Sequence, residues 1–233
     1  MDIRQLHEWP GTVAEAEAIQ RALRPMVDLS DPGPDRVRLA AGLDVAYAER
    51  GDRLAAAVVV LDTTDYEVVD QSVVLGTAAF DYVPGLFAFR ELPALVTALE
   101  RLTTVPDLLV CDGQGIAHPR RFGLACHIGV LTGLPAVGVA KTSLVGSYDP
   151  PAGERGAWSE IHSDGEVVGR VLRTRTGVKP VFVSVGHRVS LDNACRHVLR
   201  LSPHYRLPET TRAADHLSRM ALADRAPASL DVP

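Results

Sequence analysis

The chain has 233 residues, 46% of them hydrophobic, and a formal net charge of -5, which excludes a wholly disordered polypeptide and is ample for a buried core. The longest aliphatic run, AAAVVVL at 55–61, is far short of the ~20 residues needed to span a bilayer, and the opening MDIRQLHEWPG has neither a basic nor an apolar leader region; a cytoplasmic protein with no membrane partner is expected. Cys111, Cys126 and Cys195 have no metal-type spacing, and their odd number in apolar settings predicts reduced, buried thiols.

In chain order, TVAEAEAIQRALRPM (12–26) carries alanines, Ile19 and Leu23 at helical spacing behind a Thr cap, and Pro25 ends it. Three β-rich segments follow, VRLAAGLDVAYA, RLAAAVVVLD and EVVDQSVVL, separated by the turn-like ERGD and TTDY; they predict an antiparallel meander. GLFAFRELPALVTALERL contains a helix, expected to open near Pro93 because proline suits a first helical turn. The strand LLVC, the helical FGLACHIGVLTG and the strand PAVGVAK then alternate as a parallel α/β unit. GSYDPPAGERGAWSEI reads as a loop, EVVGRVLRTR and PVFVSVG as strands, and SLDNACRHVLRL and TTRAADHLSRMAL as helices. The expected architecture is one α/β domain over residues 1–222, with a mixed central sheet of antiparallel meander plus parallel strands flanked by helices, and a frayed tail over 223–233.

Acidic residues fall at telling places. Asp44 lies in the first strand between Leu43 and Val45, on the opposite face from both. Glu91 stands just before or within the first turn of the following helix, Asp112 ends the fourth strand, and Asp215 sits on the last helix. Each has an ordinary structural explanation alone, as a strand-edge polar group, a helix N-terminal acid, a turn former and a solvated helix residue. Brought together, their like charges would persist only around a cation, and oxygen donors without Cys or paired His point to Mg²⁺, with Mn²⁺ as a substitute. Residues 165–188 hold Arg170, Arg173, Arg175, Lys179 and Arg188 against Glu166 alone; this basic strip suits either a phosphate backbone or a solvated hairpin face.

AGLDVAY, YVPGLFAFRE, DGQGIAHPRRFGLACHIG, GVAKTSLVG and YRLPETTRAAD together resemble the endonuclease V family, nucleases of ribonuclease H-like fold that act on inosine, the deaminated form of adenosine. The resemblance runs from about residue 10 to 220 and implies that Asp44 and Asp112 are the principal metal-binding acids, with Glu91 the further acid and Lys141 an active-site lysine. Asp215 is a weaker metal assignment, with His216 as its rival. Tyr82, with Val83 and Pro84, matches the family's wedge, although Asp81 replaces its usual first proline. A base pocket is expected around Gly85, Phe87, Gly113, Gly115, Gly123 and Leu144.

These residue types suit the chemistry. A base must leave the duplex stack before an enzyme can read it, and an aromatic-apolar loop tip can hold the gap open. Gly113 and Gly115 carry no Cβ, so backbone groups can approach the extruded base; hypoxanthine offers an acceptor at O6 and a donor at N1, the reverse of adenine. Lys141 could stabilise charge on the scissile phosphate. His118 reads either as a catalytic group that orients water or touches phosphate, or as structural, and Arg120 and Arg121 as contacts to the nucleic-acid backbone. The expectation is a monomeric Mg²⁺-dependent endonuclease acting on inosine-containing DNA, cutting the second phosphodiester bond 3' to the lesion and leaving 3'-hydroxyl and 5'-phosphate ends. An endoribonuclease acting on inosine in RNA, a non-cutting lesion-binding protein on the same fold, and an actin-like ATPase or sugar kinase are the alternatives.

Overall fold

The computed structural model describes residues 1–223; of the tail expected over 223–233, Ala223 ends the last helix and the rest lies outside the described residues. Its elements are α1 (Val13–Leu23), β1 (Leu39–Tyr47), β2 (Arg53–Asp62), β3 (Val68–Thr77), α2 (Phe87–Glu100), β4 (Leu108–Cys111), α3 (Leu124–Thr132), β5 (Ala136–Ala140), β6 (Trp158–Ser163), β7 (Glu166–Leu172), β8 (Val181–His187), α4 (Leu191–Leu201) and α5 (Glu209–Ala223). The strands form one sheet in the order β3-β2-β1-β4-β5-β8-β7-β6. β1 to β3 are the expected antiparallel meander, and β1, β4 and β5 run parallel. β5–β8, β8–β7 and β7–β6 are antiparallel.

Alternation along the central strands sorts the layers. Ala41, Leu43, Leu109 and Cys111 join Leu92, Leu95, Leu99 and Ile128 of α2 and α3 in one buried cluster. Ala40, Leu108 and Val110 join Val183, Val198 and Leu201 in another, beneath α4. α5 lies on this second side across β1 and β2, with Ala214 packed among Ala57, Val59 and Leu61. Gly42 is where it makes its closest approach: a Cβ there would stand 2.0 Å from the Thr210 carbonyl oxygen. Asp44, two residues along the same face, is thereby brought beneath the middle of α5.

α1 starts as expected, with Thr12 and Glu15 closing a reciprocal capping box. Two expectations need correction. α2 begins at Phe87, so Pro93 sits inside it and Glu91 lies in the second turn; burial of Ala88, Phe89, Leu92, Leu95 and Leu99 outweighs the backbone hydrogen bond that proline removes. The segment expected to be a loop ends in β6, whose WSEIHS reads as polar because an edge strand buries one residue, Ile161. The three cysteines are free and buried, and burial raises the thiols of Cys111, Cys126 and Cys195, the last two to about 12 and about 11; none is poised as a nucleophile. Among the described residues no helix is long and apolar enough to cross a membrane.

Candidate active site

The fold brings the four acids to one place. Asp44, Glu91, Asp112 and Asp215, with Lys141, line a single open cavity of about 1260 Å³ above the carboxyl ends of β1 and β4. β1 and β4 are parallel neighbours, and the Asp112 amide extends their ladder by donating to the Leu43 carbonyl at 3.3 Å. Asp44 is desolvated and faces the charges of Asp112 and Asp215, which together raise its pKa to about 7 despite Lys141; the Asp112 side chain is also within hydrogen-bond reach. Burial, then the charges of Asp44 and Asp112, push Glu91 well above the ordinary carboxylate range. His216 is exposed and does not line this cavity, whereas Asp215 does.

Side chains that sequence reasoning missed complete the surroundings. The Tyr47 hydroxyl donates to Glu91 Oε1 at 3.4 Å, and Ser218 Oγ, which donates to the Asp215 carbonyl at 2.9 Å, stands 3.4 Å from Asp44 Oδ2. Arg219 holds Asp215 at 2.7 Å. Arg90 donates to the Phe80 carbonyl at 2.7 Å and to Asp52 at 2.9 Å, with its guanidinium over the Tyr47 ring. Lys141 is hydrogen-bonded to Asp112. Partial burial works against its ammonium, but Asp112, with Asp44 and Asp215 behind it, outweighs that and holds its pKa above the ordinary lysine value. Arg206 in turn donates to the Lys141 carbonyl at 2.9 Å.

The donor set fits a hard divalent cation. Every candidate ligand is a carboxylate oxygen, and mutual repulsion among partly buried carboxylates is the kind of cost such an ion removes. Among the described residues no three such groups enclose a common point. Lys141 and Arg219 take up Asp112 and Asp215, so an ion entering here displaces two cationic side chains.

A second cavity, of about 290 Å³, adjoins the first: Tyr82 and Phe87 line both. Its size is near the ~300 Å³ lower end for small-molecule pockets. Gly85, Phe87, Gly113, Gly123 and Leu144 line it as expected, together with Gln114, Thr142 and Ser143. Gly115 does not: its N–H donates to Ser184 Oγ at 2.8 Å, and a Cβ there would meet the Val185 carbonyl oxygen at 2.0 Å, so this glycine lets the loop pack on β8. Tyr82 is 70% exposed at the mouth, edge-on to Phe87, and Pro84 and Asp81 are exposed beside it. Val83 turns inward against Ala16, Phe80, Leu86 and Phe89, so it is a loop anchor and not part of the tip.

Three further expectations are corrected. His118 is buried and has both ring nitrogens engaged, Nε2 with the Gly85 carbonyl at 2.9 Å and Nδ1 accepting from the Arg120 amide at 3.2 Å; desolvation lowers its pKa to about 4. It is a neutral prop for the Tyr82 loop, with no free nitrogen for water or phosphate. Arg120 and Gln20 also donate to the Gly85 carbonyl, at 2.8 and 3.0 Å, and Arg120 pairs with Glu17 at 3.1 Å. Arg121 is buried, bonded to Glu166, Asp164 and the carbonyls of His118 and Ser163. Both guanidinium groups are engaged within the protein. Part of the basic strip is taken up in the same way: Arg170 pairs with Asp192 and stacks on Trp158, Arg173 binds the carbonyls of Pro151, Ala152 and Val178, and Arg188 pairs with Asp31, whereas Arg175 and Lys179 are exposed.

A mixed sheet with an acidic cavity at the ends of its central parallel strands defines a ribonuclease H-like α/β protein. The Endonuclease V family model matches residues 21–216. An Endonuclease V of Streptomyces avermitilis is 54% identical over 217 residues, covering 93% of this chain and 95% of that relative. A crystal structure of Endonuclease V from the same organism superposes with a TM-score of 0.89 at 52% identity, covering 96% and 99% of the two chains. The Endonuclease V of Ciona intestinalis, solved with a 24-mer DNA containing an inosine followed by a ribo-adenosine, superposes at 0.80 with 27% identity over 92% and 99%. The chain belongs to the endonuclease V family, and it is a nuclease.

Proposed function

We propose that this nuclease is a divalent-cation-dependent endonuclease that reads inosine in a DNA strand and hydrolyses the second phosphodiester bond on its 3' side, leaving 3'-hydroxyl and 5'-phosphate ends. The observation that carries the reading is the adjacency of the two cavities. A base seated in the small pocket between Gly85, Gly113 and Gly123 leaves its strand lying across the carboxylates, with Tyr82 at the junction. The relative from Ciona intestinalis was solved with an inosine-containing strand, which supports the choice of base. The cleavage offset rests on the family resemblance.

In this reading Asp44, Asp112, Glu91 and Asp215 hold Mg²⁺, for which Mn²⁺ substitutes. A divalent cation bound there supplies Lewis-acid charge to the phosphate and acidifies water. The chain's own groups do the rest. Lys141, released from Asp112, sets its ammonium toward the developing negative charge on the phosphate. Tyr47 fixes the rotamer of Glu91, and Ser218 packs its hydroxyl against Asp44. Gln20, His118 and Arg120, all bonded to the Gly85 carbonyl, hold the loop that carries Tyr82 and Pro84, the wedge.

Asp44→Asn keeps the side-chain shape and removes the charge. Its strand-cleavage rate with Mg²⁺ should fall by about 100-fold or more while binding of the inosine strand persists, and wild-type cleavage should stop in chelator. An Asp44→Asn protein with undiminished turnover refutes the site. Matched DNA and RNA strands in the same assay measure the sugar preference.

A further inference from the structure

We propose that Arg175 and Lys179, on the turn between β7 and β8, hold the phosphate backbone of the bound strand beyond Lys141, on the β8 side of the carboxylate cavity; the inference rests on the inosine-nuclease reading above. Ala140, which ends β5, pairs with Phe182 near the start of β8, so Lys141 leaves β5 where the turn enters β8. Arg206 ties the two together, donating to the Lys141 carbonyl at 2.9 Å and to the Pro180 carbonyl at 2.8 Å. Lys179 immediately precedes Pro180 and is exposed, as is Arg175. A strand lying over the ends of β4 and β5 and continuing across the sheet meets this turn next, because β8 is the neighbour of β5. The turn is also held firmly. Arg173 donates to the carbonyls of Pro151, Ala152 and Val178, the Gly177 amide to the Gly153 carbonyl at 3.0 Å, and the Arg155 amide to Thr176 Oγ1 at 3.0 Å. Little backbone freedom is then lost when a ligand binds there. Among the described residues neither the Arg175 nor the Lys179 side chain enters an ion pair, and Glu154, on the segment the turn packs against, pairs with neither. They are the part of the basic strip that the fold itself does not use, and two exposed cations beside the active-site lysine complement a phosphate backbone.

The test is binding, read by fluorescence anisotropy of labelled inosine-containing and undamaged single DNA strands over a salt series, in chelator and again with Ca²⁺ in place of Mg²⁺. Removing one phosphate-binding cation flattens the slope of log affinity against log salt by about 0.7 for a single strand. Arg175→Ala and Lys179→Ala should each lose about one such increment and the double variant about two, equally for both strands, because binding to phosphate carries no base information. The swap that keeps both charges, Arg175→Lys with Lys179→Arg, should keep the wild-type slope, which separates an effect of charge from an effect of folding. Arg36→Ala, just before β1 and at the opposite end of the sheet, should keep it too. A wild-type slope in the double variant, a loss as large in the charge-keeping swap, or a loss confined to the inosine strand would overturn the contact. Equal wild-type affinity for inosine-containing and undamaged strands would instead overturn the inosine reading beneath it.

Discussion

Asp44 and Asp112 stand side by side with Glu91 behind them, an arrangement that costs free energy unless its charge is answered. The protein answers it with groups of two kinds: cations that can move away, Lys141 and Arg219, and a neutral donor that can stay, Tyr47, with the Ser218 hydroxyl beside Asp44. The Tyr47 donor matters most, because Glu91 is buried. Burial and the Glu91 charge raise the Tyr47 phenol, so it stays a donor at any working pH. Tyr47→Phe deletes this one hydrogen bond while leaving the ring under Arg90. Removing such a supporting donor typically weakens a metal site 10–100-fold, so Mn²⁺ titrated calorimetrically should bind about tenfold more weakly. Unchanged affinity would mean that Glu91 takes no part in holding the ion. The acids are readable from their places on strands and helices, because a carboxylate at the end of an apolar strand is conspicuous. Their partners are not, because Tyr47 reads as an ordinary strand aromatic and Arg219 as a solvated helix residue.

At the level of elements, the site depends on how α5 meets β1. Alternation makes the central strands legible, 3.6-residue spacing does the same for α1 and α4, and α3, buried on every side, is legible only from its place between two strands. What sequence does not show is which helix crosses which strand, a matter of close approach and not of propensity. The position of Pro93 and the existence of β6 escape sequence reasoning for a related reason: local preference yields to packing in α2, and an edge strand has little apolar pattern to display. Gln20 is the one readable hint of the loop support, a polar residue in the buried stripe with Ala16 and Leu23. Gly42→Ala tests the crossing. A methyl 2.0 Å from the Thr210 carbonyl oxygen must push back the start of α5, and overpacking of this kind costs about 1–3 kcal/mol or more, roughly a 2–12 °C fall in Tm for a chain of this size. Asp215 and Arg219 move with the helix, so cleavage should fall as well. Gly76→Ala, whose Cβ would meet only Leu54 Cδ1 at 3.8 Å, should change neither by calorimetry nor by cleavage.

Across the whole molecule, buried titratable groups tie stability to pH with opposite signs. Asp44 and Glu91, raised by burial and by the carboxylates around them, favour the folded state as pH falls. His118, lowered to about 4, acts the other way. Its unfolded-state value is about 6.5, so between pH 6.5 and 4 the unfolded chain binds a proton there that the folded chain refuses. Stability from a neutral His118 is therefore complete above about pH 6.5 and drains away as pH falls toward 4, by on the order of 3 kcal/mol in all. His127, fully buried and also lowered, adds a loss of the same sign. Comparing wild type with His118→Asn by urea unfolding at each pH isolates the first residue, because the carboxylates and His127 are common to both proteins. Asparagine can still donate to the Gly85 carbonyl but takes up no proton. The wild-type advantage over His118→Asn should shrink steadily from pH 6.5 to 4. A difference that stays flat across that window would mean that His118 is charged or solvated in the fold, and that the loop carrying Tyr82 is held by Gln20 and Arg120 alone.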